Sequence, residues 1–124
     1  MTSQLNVDTI ADKAGTGPVT LTKQSAAKAW INFDGTTSGT TIRDSFNVSS
    51  NLDNATGDYT TTFTNAMGNA NFSANSFAGT GTVTAQSAPQ SLQGIATSSI
   101  RTLTYTTSSF DRTYTMNQVH GDLA

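Results

Sequence analysis

The chain has no cysteine and no glutamate, only two prolines and one histidine, and charged residues make up just 11% of its 124 positions. Each shortage removes a class of chemistry. Without cysteine there is no disulfide framework, no thiolate metal site and no thiol nucleophile. Without glutamate the bidentate twelfth ligand of an EF-hand is missing, and so is one of the better helix formers. Six scattered basic residues in a chain of formal charge −2 do not make the concentrated Lys/Arg face that nucleic-acid modules present, so no nucleic acid is expected as a partner. No stretch approaches the ~20 apolar residues of a membrane helix, and no membrane insertion is expected. The opening MTSQLNVDTI lacks the basic start and apolar run of a signal peptide, which predicts synthesis in the cytoplasm without secretion.

What is present is threonine, serine and asparagine. Leu, Ile, Val and Phe together account for 22 residues, under the roughly one-fifth at which composition begins to resemble disorder. Disorder normally also needs high net charge, and self-repulsion is absent here. Threonine is β-branched and favours strands, so the chain reads as all-β. With so few large aliphatic residues a lone copy buries little apolar surface, and association between copies is the natural way to supply more.

The organisation divides the chain into residues 1–28 and 29–124. The first part has two short alternating segments, LNVDTI (5–10) and VTLT (19–22), separated by a turn-rich AGTGP. Its apolar residues Leu5, Val7, Ile10, Val19 and Leu21 are too few for a core, so the segment is expected to be an extended arm that docks elsewhere and helps copies associate. From Trp30 the density of large residues rises. WINF (30–33) predicts a strand ending at Asp34-Gly35, a strong turn signal. Residues 41–64 read as a hairpin with an enlarged loop, SNLDNATG. Ile42, Phe46 and Val48 lie on one parity with Asp44, which is expected to be a buried or interfacial ion-pair or hydrogen-bond anchor, and the return carries Tyr59, Thr61 and Phe63 on one parity. NFSANSF (71–77), TVTA (82–85), SIRTLTYT (99–106) and the run from Arg112 to Asp122 continue the pattern. Short strands separated by polar turns predict an antiparallel β-sandwich, jelly-roll-like, with Trp30, Phe33, Phe46, Tyr59 and Phe63 in its core or at an interface.

No catalytic constellation emerges. The Asp53–Asp58 loop has the alternating carboxylates and amides that suit a hard cation, but its spacing is not that of an EF-hand and a plain Asx-rich turn explains it. His120, with Asp122 two residues on, reads as a surface or interface histidine, so neither metal nor cofactor is expected. Glycoside cleavage needs two carboxylates about 5–10 Å apart, one kept protonated. The carboxylate side chains here are eight aspartates, mostly beside Gly or Asn in turns. No G-x-S-x-G elbow and no phosphate loop are present. Catalytic residues are therefore expected to be none. The aromatics Trp30, Tyr59, Tyr105 and Tyr114 could stack on sugar rings where exposed, which makes a carbohydrate-binding module the competing class.

SQLNVDTIADKAGTGPVTLTKQSAAKAW, followed by INFDGT, IRDSFNVSS, the TGDYTTTFTNAM return and a closing VHGD, resembles a family of short tailed-phage virion proteins, many from marine and cyanobacterial phages, described as tail-fibre or structural proteins. The resemblance covers nearly the whole chain. It implies a non-enzymatic homotrimer on the virion, attached to the particle by its N-terminal arm, with the β-sandwich head outward. It brings no catalytic residue. The implied partners are further copies of the chain, other virion proteins of the tail, adaptor or capsid, and host-surface glycans. The chain lacks the shaft of longer members, which makes a short fibre, a head fibre or a capsid decoration protein the expected forms.

Overall fold

A computed structural model describes residues 26–80, 90–104 and 110–124. The segments LNVDTI, VTLT and TVTA, the arm residues Leu5, Val7, Ile10, Val19 and Leu21, and Tyr105 lie outside the described residues.

Eight strands form two antiparallel sheets. They are β1 (Ala29–Asp34), β2 (Thr41–Phe46), β3 (Val48–Ala55), β4 (Asp58–Phe63), β5 (Ser73–Gly79), β6 (Gln90–Ala96), β7 (Ser99–Thr104) and β8 (Tyr114–His120). The first sheet has the order β2-β1-β8-β5 and the second β3-β4-β7-β6. The sequence dictates much of this locally. Ala29, Ile31 and Phe33 of β1, and Tyr59, Thr61 and Phe63 of β4, alternate with half-exposed neighbours and are buried. That is the period-two pattern of strands with one face on a core. The chain is an all-β sandwich, as its composition implies.

The hairpin expected over residues 41–64 is built differently. Residues of the expected loop are strand: β3 runs through Asn51, Leu52 and Asp53, and the reversal is a tight Thr56-Gly57 turn with Gly57 at φ 71°. A Cβ on Gly57 would stand 2.8 Å from the carbonyl oxygens of Thr104 and Phe110, so glycine is required there by both angle and space. β2 and β3 are one length of chain broken at Asn47, where φ is 55° and the chain passes from the first sheet to the second. Asparagine tolerates the left-handed region, and its side chain fixes the corner. Its Nδ2 donates to the carbonyls of Lys28 (2.9 Å) and Asn65 (3.0 Å), and its Oδ1 accepts from the Asn65 amide (2.7 Å). One residue thus ties the start of β1, the sheet switch and the end of β4.

The core is two apolar clusters with a polar bridge between the sheets. Ala29, Phe63, Met67, Ile100 and Val119 form one cluster; Ile31, Phe33 and Tyr59, with Val48 against them, form the other. The Phe33 and Tyr59 rings meet edge to face at 4.9 Å, a favoured aromatic geometry. Between the sheets Thr61 donates to Asn51 Oδ1 (2.7 Å), Asn117 Nδ2 donates to Thr61 (3.3 Å), and Ser76 donates to Asn117 Oδ1 (2.5 Å). Hydrogen bonding lets these polar groups occupy an interior where an unpaired one costs about 1–3 kcal/mol. Tyr59 is buried to its hydroxyl, which donates to Asp111 Oδ1 at 2.7 Å; the same oxygen takes the Gly57 amide at 2.7 Å. Burial and then the neighbouring Asp111 carboxylate push the Tyr59 phenol well above its ordinary value.

Of the expected core residues, Phe33, Tyr59 and Phe63 are buried and Trp30 is half-buried. Phe46 is not a core residue: it stands 53% exposed on the outward side of β2. Its opposite number in the ladder is Trp30, also on the outward side. Nor is Asp44 a buried ion-pair anchor. It is exposed, and its Oδ1 accepts from the following Ser45 amide at 2.8 Å rather than from a cation. The reason for both is a bulge. The β1–β2 register shifts between Asn32 and Phe33, leaving Arg43 out of the ladder and breaking the parity that joined Ile42 to Asp44 and Phe46.

Candidate functional site

The sandwich has two outward faces, and they are chemically unlike. On the second sheet the outward residues are Ser50, Leu52 and Asn54 of β3, Thr60 and Thr62 of β4, and Ser99, Arg101 and Leu103 of β7. Its polar groups are matched to each other. Arg101 grips Asp58 through two bonds, Nε to Oδ1 at 2.8 Å and Nη2 to Oδ2 at 2.5 Å, and Asn54 Nδ2 donates to Asp58 Oδ1 (3.1 Å) and Thr60 (2.8 Å). The Arg101 guanidinium, with Asn54 adding to it, holds the Asp58 carboxyl below the usual carboxylate range.

On the first sheet the cross-strand rows are apolar and amide. One row runs Phe46, Trp30, Gln118, Asn75, and the next Asp44, Asn32, Met116, Phe77. Phe77 is 64% exposed and Met116 42%. Tyr114 is exposed at the end of β8 with the Arg43 guanidinium 4.4 Å over its ring. Arg43 also pairs with Asp34 at 2.8 Å and donates to the Thr113 carbonyl. Asp34 is held low chiefly by its hydrogen bonds from Thr36, with Arg43 adding less. Trp30, Asn32, Phe77, Met116 and Gln118 line a groove of about 320 Å³. The Asn32 Oδ1 in this groove is buried and has no hydrogen-bond partner, although such acceptors are normally satisfied.

Scattered exposed apolar residues need no explanation, but a contiguous apolar face with polar surroundings marks a contact site. The bulge and the parity of β8 produce it. β8 puts Thr115, Asn117 and Val119 inward and Tyr114, Met116 and Gln118 outward, so each side carries apolar residues among polar ones. The sequence marks Arg112 to Asp122 and NFSANSF as strand-like runs, yet does not identify Met116 and Phe77 as one surface. The signal was a strand with large residues on both parities.

Chemically the face offers dispersion, aromatic contact and amide hydrogen bonds. Asp34 and Asp58 both stay ionised far below neutrality, the reverse of the raised carboxyl a general acid needs. Among the described residues no three His, Cys, Asp or Glu side chains gather as a metal site. Asp53 lies in β3, and Asp58, taken by Arg101, begins β4, so the expected Asx-rich turn is reduced to Thr56-Gly57 between two strands. His120 is half-buried at the end of β8, opposite Ser73. No protein-family model matches the chain, and no curated protein or solved structure matches it either.

Proposed function

We propose that this chain works by contact rather than catalysis, as a structural component of a tailed-phage virion: a short tail-fibre-like homo-oligomer, three chains being the number the sequence resemblance implies. The observation that carries the contact role is the outward face of the first sheet. Trp30, Phe46, Phe77 and Met116 lie side by side there, contribute nothing to the two core clusters, and are kept in a chain with few large apolar residues to spare. The virion setting rests on the sequence words KAWINFDGT and IRDSFNVSS with the TGDYT return. In this reading residues 1–28 attach the protein to the particle and the sandwich is displayed outward.

The test is to image intact particles carrying a labelled version of the protein. Label at the tail or its adaptor supports a short fibre. Label spread over the capsid lattice makes it a decoration protein, and label on no particle overturns the virion role. A second reading, host-glycan contact, has its own observation: the groove sets Trp30 beside Asn32 and Gln118, an aromatic plane next to amides of the kind that holds sugar rings. Glycan-array binding that is lost in Trp30→Ala would favour it.

A further inference from the structure

We propose that the occupant of the outward face of the first sheet is a second copy of this chain, so that copies associate by packing these faces together. The inference rests on the contact role above and names its partner.

Three features of the face select its own copy. The first is charge. Its two central rows carry one formal charge, Asp44 at the β2 edge, and the adjacent Asp34 and Arg43 neutralise one another. A face of one sign would repel its copy and call for a partner of the opposite sign; this one does neither. The second is its polar content. Asn32, Gln118 and Asn75 are amides, each holding both donors and an acceptor, so a copy of the face is a complete hydrogen-bonding complement to it. Gln118 and Asn75 are exposed, so their amides are open to such a copy. The third is area. Four strands about 4.8 Å apart and six or seven residues long at about 3.3 Å each give a face roughly 19 by 20 Å. That is about 400 Å² per copy in projection, so two faces together supply on the order of 800 Å², the size of a weak or transient interface that forms with rising concentration. Face-to-face packing of two sheets about 10 Å apart is an established way to bury such a surface; it is a two-fold contact that pairs two copies, and a three-chain assembly would need a further contact elsewhere.

The other outward face supplies the control. There Arg101, Asp58, Asn54 and Thr60 satisfy one another, and among the described residues the large apolar ones are Leu52, 60% exposed, and the half-buried Leu103.

The experiment is the mass of the full chain in solution over a range of concentrations, for the wild type and for Met116→Lys, Phe77→Asp and Leu52→Asp, with backbone circular dichroism to confirm folding. The wild type is expected at a multiple of 12.9 kDa. Met116→Lys and Phe77→Asp are expected to weaken association at least tenfold while remaining folded, and Leu52→Asp to leave it unchanged. A wild-type oligomer whose mass all three variants keep overturns this interface and leaves the contact role standing. A single-chain wild type at every concentration overturns self-association. If it then binds host-surface polysaccharide through Trp30, the face belongs to a glycan; if deleting residues 1–25 makes it oligomerise, the face belongs to that segment. A labelled protein found on no particle is a failure of the virion reading, separate from all of these.

Discussion

The two outward faces of the sandwich are made from the same small alphabet and arrive at opposite chemistry. On the second sheet threonine, serine and asparagine surround one bidentate ion pair, and its principal polar groups find partners within the face. On the first sheet Phe46, Trp30, Met116 and Phe77 stand in adjacent positions across four strands, and one amide oxygen in their midst has no partner at all. The second face is finished in water. The first is finished only when something covers it. Low apolar content makes the contrast sharper, because a chain short of large side chains has placed several of its largest outside its own core.

The largest expected effect sits between the faces, where both depend on the same residues. Replacing Tyr59 by alanine removes a fully buried ring that packs on Phe33 and is expected to cost about 3–5 kcal/mol. Urea unfolding followed by Trp30 emission and by backbone circular dichroism should shift together. If Trp30 responds at lower urea than the backbone, the first sheet melts independently and the faces do not share one core.

Asn47 comes next, because it is where the chain crosses from one sheet to the other. Asn47→Ala loses the bonds to Lys28 and Asn65 and replaces a residue that tolerates positive φ by one that does not, and is expected to cost about 2–3 kcal/mol in chemical denaturation. Asn47→Asp, which keeps the left-handed tolerance and the acceptor, should recover part of it.

Tyr59→Phe keeps the ring and removes the bond to Asp111, for about 1 kcal/mol at neutral pH. It also tests a pH dependence. The folded phenol titrates above its unfolded value, so its contribution is complete below about pH 10 and is lost as pH rises beyond that value, where only the unfolded chain gains from ionising. Wild-type stability should fall on the alkaline side, and the part of that fall due to Tyr59 should vanish in the variant.

The acid side compares the faces directly. Asp58 and Asp34 are both held below the ordinary carboxylate value, so each contributes stability above about pH 4 that is lost as pH drops through the folded value. The first cause differs: Arg101 for Asp58, but Thr36 for Asp34. Arg101→Met should therefore flatten the acid loss of stability more than Arg43→Met does. Equal flattening would contradict the assignment of Asp34 to its turn. The smallest effect is on the faces themselves: Leu52→Asp and Met116→Lys should each change the stability of a single folded chain by no more than about 0.5 kcal/mol, however different their effects on association.

Part of the fold was legible: DYTTTF and SIRTLT alternate and follow Thr-Gly and Thr-Ser turns, and WINF runs into Asp-Gly, whereas β6 and most of β3 were not foreseen. Nor was the contact face. Alternation tells which residues share a side, but not which side faces in when both carry large residues, as in Trp30, Ile31 and Phe33 of β1. Phe46 illustrates the limit: its parity with Ile42 holds only if the strand is regular, and the bulge at Arg43 that separates them leaves no mark in the residue pattern. Asn47, which reads as a polar mid-strand residue between Phe46 and Val48, is the sheet switch because its amide finds Lys28 and Asn65, contacts that exist only after folding.

The most direct measurement is collisional quenching of Trp30, the single tryptophan of the chain, by iodide or acrylamide as the intact protein is diluted. Since Trp30 stands in the middle of the first face, the account expects it shielded at high concentration and increasingly accessible on dilution, with Met116→Lys accessible throughout. Quenching that is the same at every concentration, and the same in Met116→Lys, would contradict the claim that this face is covered by another copy.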